Sequence, residues 1–322
     1  MSRSTPSRTR RPGFRTLLIA LALLPIWASA QAQEQASVQQ IDLTPAQVGR
    51  IHAERDPEAI KALPKDFKPV KPGTLTVAIT AAVPPASTYA TDAKTIVGAD
   101  ADHAYQLAEA LGLKLNLVSV AWPDWPLGLS SGKYDAVISN VGVTEERKLK
   151  FDFSSYRLGL HGFFVRKASP IQAIKEPKDI AGLKIITSSG TIQERILLEW
   201  NKLNQAAGLK PAELLYFDDF VTSKLALESG RADAHFNPHG PLLYLAAKEG
   251  KTRLVGTVNA GWPLRADVAV GTRKGSGLAA ALTVATNNLI KSGKYAQTLA
   301  RWGLGAEAIA KSETNPPGLP KF

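Results

Sequence analysis

The stretch LSSGKYDAVISNVGVTEER (129–147) ends a helix, crosses a core and then turns to small and polar residues. Gly132 stands where a left-handed helix C-cap calls for glycine. Tyr134 to Ser139 reads as a short strand, and Ser139, Asn140 and Gly142 form a small-residue exit from it. Thr144 is a good N-cap for a helix opening with Glu145 and Glu146. Arg147 then falls in that helix's first turn, where its charge opposes the helix dipole. Such a placement suggests another purpose, because a guanidinium fork grips a carboxylate through two parallel hydrogen bonds. The competing reading is a surface ion pair with Glu145 or Asp152, which contributes little in water.

The same device returns as LESGRADA (227–234), where Leu, Ser, Gly, a basic residue, Asp and Ala recur in register with LSSGKYDA (129–136). Each copy sits inside a strand–helix alternation. TLTVAIT (74–80) is a strand, DADHAYQLAEALG (100–112) a helix closed by Gly112, and LKLNLVSV (113–120) a strand. A second helix lies between Trp122 and Ser131, followed by the YDAVIS strand (134–139). The second unit runs through a strand (182–189), a helix (191–208), a strand (212–218), a helix to about 229 and the strand ADAHFN (232–237). Alternation of this kind builds α/β units with parallel strands. Two segments, 160–169 and 265–276, read as extended connections, and two helices follow without a third complete unit. The expected architecture is therefore α/β: two similar lobes with mostly parallel central sheets, joined by two crossover strands that act as a hinge. A cleft between hinged lobes is where a small ligand binds.

The flanks bound the protein's class. Arg3, Arg8, Arg10, Arg11 and Arg15 precede an apolar run from Leu17 to Trp27, and the A-x-A sites end at Ala30 and Ala32. This reads as a signal peptide over 1–32, too short in its apolar part for a membrane span, and predicts export to the periplasm. No cysteine follows the run, so no lipid anchor is expected. The net charge of +11 falls to +6 once those five arginines are set aside. With the lysines scattered, no nucleic-acid surface is expected. The chain has no cysteines at all, which excludes disulfides and thiolate metal sites and leaves stability to the hydrophobic core. Residues 33–72 read as an N-terminal extension with one short helix starting at Thr44-Pro45. The expected divisions are 73–165 for the first part of lobe 1, 166–264 for lobe 2, 265–312 for the return to lobe 1 and 313–322 for a tail.

Ligands of open parallel sheets sit beyond the carboxyl ends of the strands. Besides the exit carrying Asn140, Gly142, Thr144 and Arg147, SSGTIQE (188–194) offers a capping box, Thr191 with Glu194, preceded by Gly190. A capped helix N-terminus behind a glycine suits an anion. FNPHGP (236–241) brings Asn237 or His239 to a third strand end. His235 and His239 would share a metal only on a helix, which Pro238 and Gly240 argue against, so no metal and no cofactor are expected. Trp122 and Trp125 read equally as a ligand wall or as core. Asp218 and Asp219 form the one tempting carboxylate pair, but neighbours on an extended chain point apart. No nucleophile elbow or phosphate loop appears.

These motifs resemble those of family 3 solute-binding proteins, the receptors of polar amino-acid ABC transporters, with a periplasmic-binding-protein type II or Venus-flytrap fold. LSSGKYDAVISNVGVTEERKLKFDFSSYR, AGLKIITSSGTIQE and SGKYAQTLARWG carry the resemblance, which covers about 73–305 and leaves 33–72 outside. It implies that Arg147 binds a ligand carboxylate, that Asn140 and Gly142 lie at main-chain and hydroxyl contacts, and that Thr191 and Ile192 supply amides. It also places Trp125 near the family's aromatic wall. Two departures stand out: Val83 and Ala86 occupy the segment where an aromatic usually follows the first strand, and Pro238, beside Asn237, replaces the acid that usually holds an ammonium. The expected protein is a monomeric, non-catalytic receptor for an acid-bearing ligand that docks on a membrane permease. The alternative is a dehydratase-like periplasmic enzyme using Asp218 or Asp219. A sensor module is set aside, because no membrane or signalling segment follows the second unit.

Overall fold

The computed structural model describes Met1, residues 41–217 and residues 219–320. The expected signal peptide, the start of the extension and Asp218 lie outside the described residues. In chain order, the first half contains α1 (Pro57–Lys61), β1 (Thr74–Ile79), the short pair β2 (Thr88–Tyr89) and β3 (Ile96–Val97), and α2 (Ala99–Ala110). It continues with β4 (Lys114–Ser119), α3 (Trp125–Ser130), β5 (Ala136–Val137), α4 (Glu145–Lys148) and β6 (Phe151–Leu158). The second half runs β7 (Leu160–Arg166), β8 (Lys184–Thr187), α5 (Ile192–Ala206), β9 (Glu213–Tyr216), α6 (Phe220–Glu228), β10 (Ala234–Pro238), α7 (His239–Glu249) and β11 (Thr252–Asn259). The chain closes with β12 (Asp267–Arg273), α8 (Leu278–Lys291) and α9 (Lys294–Arg301).

Two five-stranded sheets define two lobes, ordered β4-β1-β5-β12-β6 and β11-β7-β10-β8-β9. β1 pairs parallel with β4 and β5, and β8 pairs parallel with β9 and β10. The strands that carry the chain between lobes pair antiparallel: β12 with β5 and β6, and β7 with β10 and β11. The first crossing falls at Gly159, between β6 in lobe 1 and β7 in lobe 2, rather than near 165; the return runs through 260–266.

The repeated motif is the device that starts each sheet. Gly132 and Gly230 adopt φ +76° and +78°, a conformation that a side chain disfavours. The aspartate of each copy then grips a parallel strand of its own lobe, β1 for Asp135 and β8 for Asp233, through both backbone and carboxylate. Asp135 donates its amide to Thr76 O and accepts from the Thr76 and Val70 amides, each at 2.8 Å. Asp233 donates its amide to Lys184 O and accepts the Lys184 amide at 2.8 Å.

β1 is buried along its whole length, as a central parallel strand covered on both faces must be. On one face of the lobe 1 sheet, Leu75, Val77, Leu107 and Leu282 are fully buried together. On the other, Trp125, Leu129 and Tyr134 pack against Phe151 and Phe153. Lobe 2 is organised around the stacked rings of Phe163, Phe236 and Trp200. Each such side chain contributes about 1.5–3 kcal/mol by leaving water.

Two expectations need correction. No helix starts at Thr44-Pro45. The Thr44 amide donates to Asp42 Oδ1, Gln47 Nε2 donates to the carbonyls of Asp42 and Thr44, and Gln47 sits at φ +45°, so the carbonyls a helix would use are already engaged. The first helix forms instead at Asp56-Pro57, where the Asp56 carboxylate accepts the Glu58 and Ala59 amides and proline occupies the first turn. Second, Pro238, Gly240 and Pro241 do not prevent a helix; they open α7. First-turn amides have no acceptor within a helix, so proline costs nothing there. His235 therefore ends up on a strand and His239 on a helix. Among the described residues no group of three metal-ligating side chains occurs.

Candidate functional site

The exit from β5 and the start of α5 face each other across the cleft. The Thr144 hydroxyl caps α4 by accepting the Arg147 amide at 3.0 Å. Arg147 folds back, its Nη1 donating to Gly142 O at 2.8 Å, with the guanidinium 5.6 Å and 5.8 Å from the rings of Trp122 and Trp125. Trp125 is itself buried against Phe151, so it supports Arg147 from below as part of the lobe 1 core. Burial, with a smaller contribution from Arg195, pushes the Arg147 pKa down to about 10; the group remains cationic at neutral pH.

The carboxylates near Arg147 in sequence are occupied elsewhere. Glu145 pairs with Lys148 at 3.0 Å, Asp152 with Lys274 at 3.1 Å, and Glu146 with Arg195 of lobe 2 at 3.1 Å. The surface-pair reading of Arg147 therefore does not hold. A partly buried guanidinium without a carboxylate ion pair among the described residues is an anion site in waiting.

From lobe 2, Thr191 caps α5 by accepting the Glu194 amide at 3.2 Å, while the Glu194 carboxylate reaches back to the Gly190 amide at 2.6 Å. Half of the expected capping box forms: Thr191 caps the helix, but the Glu194 carboxylate takes the Gly190 amide rather than that of Thr191 itself. This arrangement uses the Gly190 amide internally and leaves the Ile192 and Gln193 amides of the first turn without a protein acceptor among the described residues. Asn140 adopts φ +53°, a region asparagine tolerates better than most residues, and so turns the chain out of the strand. Asn237 accepts from Gln193 Nε2 at 2.9 Å and lies 3.3 Å from His235 Nε2, which ties the end of β10 to α5. Val83 packs against the lobe 2 cluster containing Leu242 and Leu243.

The lobes are closed on one another. Ile192 covers Gly142, Glu146 pairs with Arg195, and Gly240 of α7 approaches Pro85 and Leu304 of lobe 1. A groove of about 570 Å³ opens beside the Glu146–Arg195 pair, along Leu198, Glu199 and Lys202. It is lined by residues of α5 together with Glu146 of lobe 1, the partner of Arg195. Sequence reading had named Gly142 and Ile192 separately, but not their mutual contact or the Glu146–Arg195 pair. Glu146 and Arg195 are ordinary helix-surface residues by pattern, and only the facing of α4 and α5 joins them.

Two lobes of this topology, crossed twice by the chain and meeting over an arginine and a helix N-terminus, define a type II periplasmic-binding-protein fold. The family model of bacterial extracellular solute-binding proteins, family 3, matches residues 75–305, and the chain belongs to that family. Among curated relatives, the L-cystine-binding protein TcyJ of Escherichia coli (strain K12) is 32% identical over 163 residues, covering 50% of this chain and 58% of that protein. Cyclohexadienyl dehydratase of Pseudomonas aeruginosa is 28% identical over 222 residues, covering 68% of this chain and 69% of that enzyme. Of solved structures, an ancestral arginine-binding protein bound to arginine is 29% identical with a TM-score of 0.61, covering 71% of this chain and 98% of that one. The ancestral amino acid-binding protein AncCDT-1, a precursor of cyclohexadienyl dehydratase, is 26% identical with a TM-score of 0.61, covering 71% and 95%.

Proposed function

We propose that the protein is the periplasmic solute receptor of an ABC importer, binding an amino acid or related carboxylate-bearing molecule between its lobes and delivering it to a membrane permease. The observation that carries this reading is Arg147, partly buried, without a carboxylate ion pair among the described residues, and facing the first-turn amides of α5 from the opposite lobe. Together they supply a bidentate cation and a helix N-terminus for one carboxylate, so ligand binding stabilises the closed arrangement. The relatives named for binding cystine and arginine support the same class. Pro238 at the position of the usual ammonium-holding acid favours a ligand whose amino group is absent or substituted. In this reading the chain acts as a monomer, after removal of its leader near Ala30 or Ala32, and takes no metal or cofactor.

A thermal-shift screen across amino acids, N-substituted amino acids and simple carboxylates tests the proposal. A ligand that raises Tm in the parent protein and not in Arg147→Ala supports it; the same shift in both sinks the assignment.

The dehydratase relative motivates a second reading, catalysis by Asp218 or Asp219. Asp219 is committed to capping α6, accepting the Thr222 amide at 2.8 Å. Dehydratase turnover that disappears in Asp218→Asn would favour the enzyme over the receptor.

A further inference from the structure

Residues on both sides of the family-matched region span the two lobes. At the amino-terminal side, Ile41 and Leu43 pack against the lobe 1 cluster that holds Leu299 and Trp302, and also against the lobe 2 cluster that holds Leu242 and Leu243. The segment is anchored to lobe 1 in several places. Leu43 O accepts the Thr91 amide at 2.9 Å, Gln47 Oε1 accepts from Arg301 at 2.8 Å, and Arg50 pairs with the buried Asp102 at 2.8 Å. Asp102 also accepts from Arg301 and from the Trp302 indole, so the anchor is continuous with α2 and α9. An anchor this firm leaves Ile41 and Leu43 as a fixed apolar hook over α7.

The carboxyl-terminal side does the same at the hinge. The tail covers the outer edge of β6, with Ser155 N donating to Glu313 O at 3.0 Å and Asn315 N to Phe153 O at 2.8 Å. It then runs beside the Arg147-bearing turn: Leu319 N donates to Val143 O at 3.0 Å, and the Glu145 amide donates to Leu319 O at 2.9 Å. The Gly318 amide donates to the Glu145 carboxylate at 2.7 Å. From this lobe 1 seat, the Leu319 side chain is only 2% exposed and joins the apolar cluster of lobe 2 and its hinge, which includes Ile192, Ile196, Ala260 and Ala266.

We infer that the two flanks are interlobe straps that bias this protein toward the closed arrangement, with Ile41 and Leu43 clasping α7 and Leu319 wedging the hinge beside Arg147. Opening the lobes would expose these apolar side chains to water, so the straps add a cost of opening that the family region alone does not carry. The carboxyl-terminal strap also supplies an acceptor for the first amide of α4, so it positions the helix that holds Arg147. The inference does not depend on the chemical class of the ligand.

The absence of cysteines makes the test direct. Spin labels on Leu127→Cys of lobe 1 and Val221→Cys of lobe 2, both exposed at helix starts, report the lobe-to-lobe distance in the full chain without added ligand. The straps predict that Ile41→Ser with Leu43→Ser, and separately Leu319→Ser, move the distribution to longer distances, with the combined variant moving it furthest. Leu198→Ser, on the solvent face of α5, leaves it unchanged. Far-UV circular dichroism verifies folding; where a serine variant unfolds, Leu43→Ala and Leu319→Ala take its place. Folded variants that keep the parent's distance overturn the proposal. Because no ligand enters the measurement, a wrong assignment of ligand class leaves this result standing.

Discussion

Ile192 of lobe 2 lies directly over Gly142 of lobe 1: a β-carbon on Gly142 would come 2.4 Å from the Ile192 Cδ1 methyl. What limits this position is space rather than backbone conformation, since the obstacle is another side chain at close range. The methyl is the far end of a flexible side chain, so Gly142→Ala should be absorbed by an Ile192 rotamer change. Gly142→Val adds branched bulk that rotation does not clear, and should penalise closure by about 1–3 kcal/mol. Small-angle scattering should show a more extended molecule for the valine variant alone.

Removing the guanidinium separates binding from folding. Arg147 is desolvated and forms no ion pair with a carboxylate among the described residues, Glu146 being taken by Arg195, so Arg147→Met should leave Tm unchanged or raised. Ligand affinity should fall by about 2 kcal/mol or more, the cost of truncating one side of a desolvated charge pair. Calorimetric titration beside a melting curve reads both. A large loss of Tm would show instead that Arg147 is a structural residue.

Acid should weaken the fold through its buried histidines. Burial pushes His161 down to about 3 and His103 and His235 down to about 4. The folded state therefore binds fewer protons than the unfolded state between about pH 6.5 and those values. Their stabilisation is full above pH 6.5 and is lost as pH falls, by about 1.4 kcal/mol per pH unit for each histidine once its unfolded form is protonated. Melting curves from pH 7 to pH 5 should show a steep fall in Tm, and His161→Leu should make the slope shallower.

The two copies of the repeat should differ in what their aspartates contribute. Asp135 is 2% exposed and accepts two amides, that of Thr76 fully buried, so Asp135→Ala strands a buried donor and should cost about 2–3 kcal/mol. Asp233 is exposed and accepts one, so Asp233→Ala should cost about 1 kcal/mol. Chemical denaturation of the two variants gives the comparison, and equal losses would contradict it.

A buried ion pair joins the first crossover to the segment after α9. Arg157 is bonded to Glu307 and lies 3.5 Å from Asp100, all nearly inaccessible to water. Burial pushes the Glu307 carboxyl up, while Arg157 opposes that shift. Glu307→Gln leaves Arg157 with Asp100 as its remaining counter-charge, and should cost about 3 kcal/mol in denaturant unfolding.

The sequence by itself determined the features that rest on local chemistry. Gly132 and Gly230 mark helix ends because few other residues accept their φ, and the Thr191–Glu194 box marks a helix start because its side chains answer amides a few positions away. The strand–helix alternation and its repeat follow from the same short-range rules, and Arg147 is conspicuous as a basic residue close behind an expected helix start, although α4 is a single turn with Arg147 in its last turn. The tertiary structure alone decided which surfaces meet. The apolar character of Ile41, Leu43, Leu319 and Ile192 says that each needs a neighbour without naming it, and Glu146 and Arg195 pair only because α4 and α5 come from opposite lobes. Pro238 and Gly240 looked like a helix stop because proline and glycine break helix interiors. Only the course of the chain after β10 placed Pro238 at the N-cap and Gly240 in the first turn of α7, ahead of the interior where they would break a helix. Closure over the candidate site is a matter of contacts between residues far apart in sequence, and no periodicity records such contacts.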